Sequence, residues 1–212
     1  MTLFRRAMLA RVLGGAAFVA MIGLAPASQA QITGSLHDFS ALGWSGGEIC
    51  IVCHTPHNAD TTVPDAPLWN HEVTVAVFTL YSSVTLDAGP MGQPAGVSKL
   101  CLSCHDGTVA EDSFGGTAGS TFMAGPALVG TDLSNDHPIS FTYDDALATL
   151  DGDLHAPSTQ ASGLGGTVDA DMLFGGSMEC GSCHDVHNAD GNTSLLRVAN
   201  AGSALCLTCH DK

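Results

Sequence analysis

The hydrophobic pattern of the chain changes character once, near residue 30. Residues 12–24 form an unbroken, weakly polar run of 13 residues, preceded by Arg5, Arg6 and Arg11 and followed by Pro26-Ala-Ser-Gln-Ala30. A bilayer span needs roughly 20 such residues. A basic start, a short apolar stretch and small residues at Ser28 and Ala30 predict a signal peptide over residues 1–30, cleaved after Ala30 on the general secretory route. The surroundings of Arg5-Arg6 fit twin-arginine export poorly. No later stretch reads as a membrane span, so the mature chain is expected to have no transmembrane segment. Beyond residue 30 the pattern breaks into short pieces. Residues 72–78 alternate and predict a short strand. Residues 98–104 and 201–209 predict short helices, and residues 143–150 another, with Asp144 and Asp145 in its first turn. Residues 115–119 and 162–166 are glycine-rich and carry neither period, and residues 156–177 read as a Gly/Ala/Ser-rich loop. The expected fold is mostly irregular, with a few short helices and little strand.

Composition sharpens this picture. Aromatic residues make up 6% of the sequence and glycine is frequent, at 25 residues. Such a polypeptide is poor at building a core alone, so something else must supply apolar bulk. After Ala30 the chain holds all 21 acidic residues but only Lys99, Arg197 and Lys212 as basic ones, a formal net charge of −18. That excludes nucleic acid as a partner. It also opposes close self-association unless salt or bound cations such as Ca²⁺ screen it. A basic partner or a mineral surface would suit the charge; a solvated acidic surface would explain it equally.

The cysteines name the missing bulk. All eight fall in pairs, Cys50/Cys53, Cys101/Cys104, Cys180/Cys183 and Cys206/Cys209, and each pair is followed directly by a histidine: His54, His105, His184 and His210. C-x-x-C-H is the attachment pattern of c-type haem. Two thiols add to the two vinyl groups on one porphyrin edge, and the next residue then lies under the iron as an axial ligand. Disulfides suit an exported chain but do not require a histidine after every pair. Tetrahedral thiolate zinc belongs more to reducing compartments, and a thioredoxin-like redox pair would occur once. The expectation is therefore four covalently bound haem c groups, one iron each, forming a haem-cored domain over residues 31–212. Folding should then depend on haem.

A second histidine follows the first motif at a distance of three, in Cys50-Ile-Val-Cys-His-Thr-Pro-His-Asn-Ala-Asp60, and again in Cys180-Gly-Ser-Cys-His-Asp-Val-His-Asn-Ala-Asp190. His57 cannot bind the far face of the haem held by His54, because the porphyrin stands between the two axial positions. It either points to solvent or ligates a different haem; the same holds for His187 and His184. If they ligate, neighbouring haems are forced close together, as an electron-transfer chain requires. The order of motifs repeats: His37-Asp-Phe-Ser40 then CxxCHxxHNAD then Leu100-Cys-Leu-Ser-Cys-His-Asp106, and His137-Pro-Ile-Ser140 then CxxCHxxHNAD then Leu205-Cys-Leu-Thr-Cys-His-Asp211. Two pseudo-repeats follow, at about residues 32–130 and 131–212. His37, His57, His137 and His187 are thus the candidate second axial ligands. His71 and His155 lack counterparts and read as ordinary polar residues or propionate partners. Met91, Met123, Met172 and Met178 do not repeat and rank below histidine as ligands. Trp44 and Trp69 are expected on porphyrin faces or edges.

Taken together with Pro67-Leu-Trp-Asn70, Tyr81-Ser-Ser83, Ser98-Lys-Leu-Cys-Leu-Ser-Cys-His-Asp-Gly107 and Asn135-Asp-His-Pro-Ile-Ser140, these motifs resemble the doubled-CXXCH multihaem c-type cytochromes. More narrowly they are similar to tetrahaem cytochromes of the OmcE type, which polymerise into extracellular nanowires. The resemblance implies bis-histidine haems in a continuous stack and head-to-tail homopolymerisation, with one haem taking its distal histidine from the neighbouring subunit. Carried over here, His37 is the expected donor in trans. The chain departs from that pattern in charge. With two ionised propionates per haem and a net +1 at each ferric centre, four haems bring the total to about −22. The function expected is electron transfer rather than enzymatic catalysis, in a filament at the cell surface or outside the cell, passing electrons to other redox proteins or an extracellular acceptor. The alternatives are a monomeric periplasmic shuttle with the same ligation and a multihaem reductase with one open haem.

Overall fold

In the computed structural model, which describes residues 31–64 and 66–212, regular structure is sparse and short. The predicted signal peptide lies outside the described residues. Among the described residues the longest element is helix α1, Gly96–His105. Its Ser98, Leu100, Leu102 and Ser103 are buried. Leu100 joins a small cluster with Val63 and Trp69, and Leu102 another with Phe78 and Leu133. The i, i+3 spacing of Cys101 and Cys104 keeps the two thiols on one side of this helix. The predicted helix over residues 98–104 is thus present, extended by two residues at its start and by His105 at its end.

The second half is built from smaller pieces. Strand β1, Phe141–Thr142, pairs antiparallel with β2, Ser177–Met178, with Phe141 opposite Met178. Between them lie helix α2, Asp145–Asp151, and helix α3, Val168–Met172. Asp144 caps α2 by accepting the Leu147 N–H at 2.8 Å. The helix stops at Gly152, whose φ of 78° is the left-handed conformation that ends helices cheaply. Asp144 therefore precedes the helix rather than forming part of its first turn. Helix α3 lies inside the stretch expected to be a loop. Thr167 caps it through its side chain, and its Val168 and Met172 are fully buried. Helices α4, Cys180–Cys183, and α5, Ala204–Cys209, follow, the latter entered through a 3-10 turn at Ala201–Ser203. Tyr143, Leu147, Ala148, Val168, Met172, Leu173, Met178 and Leu205 form the largest core cluster.

The expected strand over residues 72–78 does not pair into a sheet. The segment alternates, with Val75 and Val77 exposed and Thr74 and Phe78 buried. Its inward N–H groups go to side chains instead: Thr74 N–H to Ser103 Oγ at 3.0 Å and Phe78 N–H to Gln93 Oε1 at 2.8 Å. Gln93 Nε2 also donates to the Phe78 carbonyl at 3.0 Å, so one amide side chain replaces a neighbouring strand. The period was right and the partner was not, because alternation reports burial of one face and says nothing of the strand edge.

Candidate functional site: four CxxCH turns and their facing histidines

Three of the four CxxC pairs sit on helices α1, α4 and α5; Cys50/Cys53 occupies a turn. The histidine N–H closes each of these turns onto the first cysteine carbonyl where the bond lies at or beyond the element's end, His54 to Cys50 at 2.8 Å, His184 to Cys180 at 3.0 Å and His210 to Cys206 at 2.9 Å. One helical turn therefore presents two thiols on one side and an imidazole just beyond them.

The imidazoles are oriented from behind. Nδ1 of His54 meets the Pro67 carbonyl at 2.6 Å, Nδ1 of His105 the Ala127 carbonyl at 2.8 Å, and Nδ1 of His184 the Ser194 carbonyl at 3.0 Å. A carbonyl only accepts, so Nδ1 carries the proton and Nε2 keeps its lone pair for a metal. Two of these braces are copies of one another. Thr55 N–H bonds Leu68 O and Asn70 N–H bonds Cys53 O; likewise Asp185 N–H bonds Leu195 O and Arg197 N–H bonds Cys183 O. Leu68 and Leu195 both adopt positive φ, 53° and 57°, a strained choice for a branched side chain. The sequence reading missed these braces because their contacts are made by backbone carbonyls, which leave no residue signature; the leucines before Trp69 and Leu196 are the only trace.

Three motif histidines face histidines from elsewhere in the chain. The ring centres of His54 and His187 are 6.2 Å apart with planes 9° from parallel. His105 and His37 are 6.1 Å apart, and His210 and His137 are 6.3 Å apart. Taking a metal–imidazole bond as about 2 Å, two rings on opposite sides of one iron have centres about 6 Å apart. The spacing is thus that of two axial ligands and is too wide for direct ring stacking. Among the described residues no imidazole faces His184 within this distance, and no motif histidine faces His57. His37, the expected donor to a neighbouring subunit, lies against His105 of its own chain.

The electrostatics suit neutral nitrogen donors. Burial, reinforced by His105, His184 and His187, lowers His37 to about 4, so it stays an uncharged imidazole at neutral pH. Its Nδ1 is buried without a hydrogen-bond partner. His210 is lowered as well, by burial and then by His137. His71 differs from these. It is 1% exposed, and its two ring nitrogens lie 2.8 Å from Glu72 O and 3.0 Å from Ala110 O; a neutral ring donates to one of these, and both nitrogens are turned toward the backbone rather than toward another imidazole. His155 contributes through its backbone, taking the Tyr143 hydroxyl on its carbonyl at 2.6 Å.

The thiols also lie motif against motif. Burial pushes Cys53 up to about 11 and Cys209 up to about 11. Burial, with the nearby Cys53, pushes Cys104 up to about 12. Cys101 is raised because it donates a hydrogen bond to Cys180, which is lowered in turn. Cys183 is raised by burial, with Cys180 and Cys206 adding to it. Cys53 packs in one cluster with Leu100, the Cys180 N–H bonds Ser98 Oγ, and Cys183 and Cys209 pack against one cluster with Leu205, so successive motifs lie side by side. Trp69 is buried among Val63 and Leu100 with Cys53 packed against the cluster, so its place is beside the first motif and inside the protein core. The Trp44 ring lies tilted against Phe39 with centres 5.7 Å apart, and Phe39 stands 5.9 Å from His37.

All eight cysteines are free thiols. Among the described residues no group of three or more His, Cys, Asp or Glu side chains is gathered to hold a metal ion. A structural zinc needs four protein ligands, so the zinc reading finds no support here, and neither does a Ca²⁺ cage. Two facing imidazoles and a pair of free thiols are instead the donor set of a bis-histidine haem c, because the porphyrin supplies the other four donors. Among the described residues no helix is long and apolar enough to cross a membrane.

Comparison with known proteins agrees with the paired CxxCH reading of the C-terminal part of the chain. Residues 174–212 match the family model described as the doubled CXXCH motif, a stretch that holds the third and fourth haem-attachment motifs. No curated protein matches the chain. The match and the CxxCH motifs together indicate covalently bound haem c, and they support a multihaem c-type cytochrome that transfers electrons.

Proposed function

We propose that the protein is an exported tetrahaem electron conduit that polymerises head to tail outside the cell. The reading rests on the three facing imidazole pairs at 6.1–6.3 Å. In it, Cys50/Cys53 carry the haem ligated by His54 and His187, Cys101/Cys104 that of His105 and His37, and Cys206/Cys209 that of His210 and His137. Each bound iron would supply one-electron chemistry between its ferric and ferrous states. The chain supplies fixed ligands, close spacing and an absence of open coordination positions at these three sites, which suits passage of electrons rather than turnover of a substrate.

The fourth site explains polymerisation. His184 and His57 are each left without a facing imidazole in one copy, and both are exposed. By the reciprocity of the two CxxCHxxHNAD peptides they are each other's partner, so a His57 from one copy closes the site of His184 in the next. Such a contact joins two different surfaces and does not close on itself, so it propagates as a filament. His57→Ala should leave the three paired haems six-coordinate and convert long assemblies to single subunits by sedimentation and electron microscopy. Undiminished filaments would overturn this joint. The unpartnered His184 also favours a second reading, a reductase with one open haem. Carbon monoxide binding to one haem of the native, assembled protein would select that reading, and its absence the conduit.

A further inference from the structure

Glu179 is 5% exposed, yet among the described residues no lysine, arginine or histidine pairs with it. Its carboxylate accepts the Ser98 N–H at the start of α1 at 3.2 Å and the Ser140 hydroxyl at 3.0 Å. Ser98 answers by accepting the Cys180 N–H at the start of α4 at 2.9 Å. The two helices therefore cap one another, and both carry a CxxCH motif. The approach depends on Gly96, whose φ is +48°; a Cβ there would sit 3.2 Å from Glu179 Oε1. Ser140, itself at a φ of 59°, also accepts the Ala95 N–H at 3.1 Å and so fixes the other side of the carboxylate. Glu179 precedes Cys180 in the chain, and Ser98 lies one helical turn before Cys101, so the charge sits at the junction of the second and third motifs.

Capping alone would not need a charge. A serine or asparagine caps a helix without placing an anion out of water. An anion in a low-dielectric site acts on nearby charged groups far more than one at the surface. A negative charge beside an iron centre stabilises its ferric form over its ferrous form, and the potential falls.

We infer that Glu179 is a positioning residue with an electrostatic duty: it locks the second and third haem motifs together and holds the potentials of their haems down. The inference rests on the haem reading above and is separable from it. The test is Glu179→Gln, which keeps the size and one acceptor oxygen but removes the charge, in secreted holoprotein. Mass spectrometry should still count four haems, and spectroelectrochemical titration should show two of the four components shifted to higher potential while the other two stay in place. Four haems with a titration curve superimposable on wild type would overturn the inference. Absence of haem from the wild-type protein would instead overturn the haem reading itself. If Glu179→Gln yields no four-haem protein, Glu179→Asp decides, because it keeps the charge but withdraws it by one methylene. The same two components should then move upward by less than a full neutralisation would give, and a four-haem Glu179→Asp protein titrating as wild type counts against the proposal.

Discussion

At the residue scale the histidines divide by what their nitrogens are free to do. Nδ1 of His137 is held by the Pro138 carbonyl at 2.8 Å, as His54, His105 and His184 are held by theirs, and its ring faces His210. His71 has both nitrogens turned toward carbonyls in the core, one of which its N–H can serve. The two therefore fail differently. His137→Ala should open one coordination position, giving a high-spin component and carbon monoxide binding in the absorption spectrum with little loss of stability. His71→Gln should leave every haem six-coordinate but lower stability by about 1–3 kcal/mol in a denaturant melt, the cost of leaving a buried acceptor unpaired. The repeat in the sequence already separated these classes, since His71 had no counterpart in the other half. What it could not supply was the pairing. His37 is first in the chain and reads as a terminal arm, but Phe39 and Trp44 fold it back against His105.

At the element scale many of the loops are tied by aspartates, beside the backbone hydrogen bonds of the turns and the short helices. Asp38, Asp112, Asp132, Asp145 and Asp171 all sit below the ordinary carboxylate value of 3.8. Ser40, Thr121, Ser134, Ser158 and Ser162 are respectively the leading hydrogen-bond donors responsible. Asp112, for example, gathers the N–H groups of Ser120 and Thr121 at 2.8 and 2.7 Å. A carboxyl with a folded pKa below its unfolded value binds fewer protons when folded, so it stabilises the fold above 3.8 and that contribution disappears as pH falls through the lowered folded value. Thermal melts should therefore be flat in this respect from neutral pH to about 5 and fall steeply below about 4. A melting temperature unchanged at pH 3 would show that these loops do not support the fold. The short helices at the second and fourth motifs were legible from the sequence because cysteine and leucine positions keep helical spacing, whereas α4 at the third motif, Cys-Gly-Ser-Cys, carries no leucine and was not predicted. Helix α3 was not, because its only signals are the Thr167 cap and two apolar residues inside a glycine-rich stretch.

At the scale of the whole molecule, three small core clusters serve a chain with few aromatic residues, and the largest lies entirely within residues 143–205. Around them Cys50 and Cys206 are exposed and Leu36, Val75, Val77 and Val84 are largely uncovered. Side chains alone bury too little apolar surface to offset chain entropy over so many loops. Protein secreted without haem attachment, or with serine at all eight cysteines, should lack a cooperative thermal transition by circular dichroism. A sharp, native-like melt of that apoprotein would contradict a haem-dependent core. The charge acts at this scale too: with three basic residues against 21 acidic ones after residue 30, assembly depends on screening.

The sequence by itself shows four CxxCH motifs, a matching set of spare histidines, a strong negative charge and little apolar bulk for an ordinary core. Those are properties of covalent attachment, charge and composition, and they survive any folding of the loops. Tertiary structure decided which imidazole faces which, that His37 stays with His105, that His57 and His184 stand apart, and that Glu179 ties α1 to α4. Each of these depends on distances between residues far apart in the chain, set by backbone carbonyls, positive-φ leucines and glycine approaches that no periodicity records.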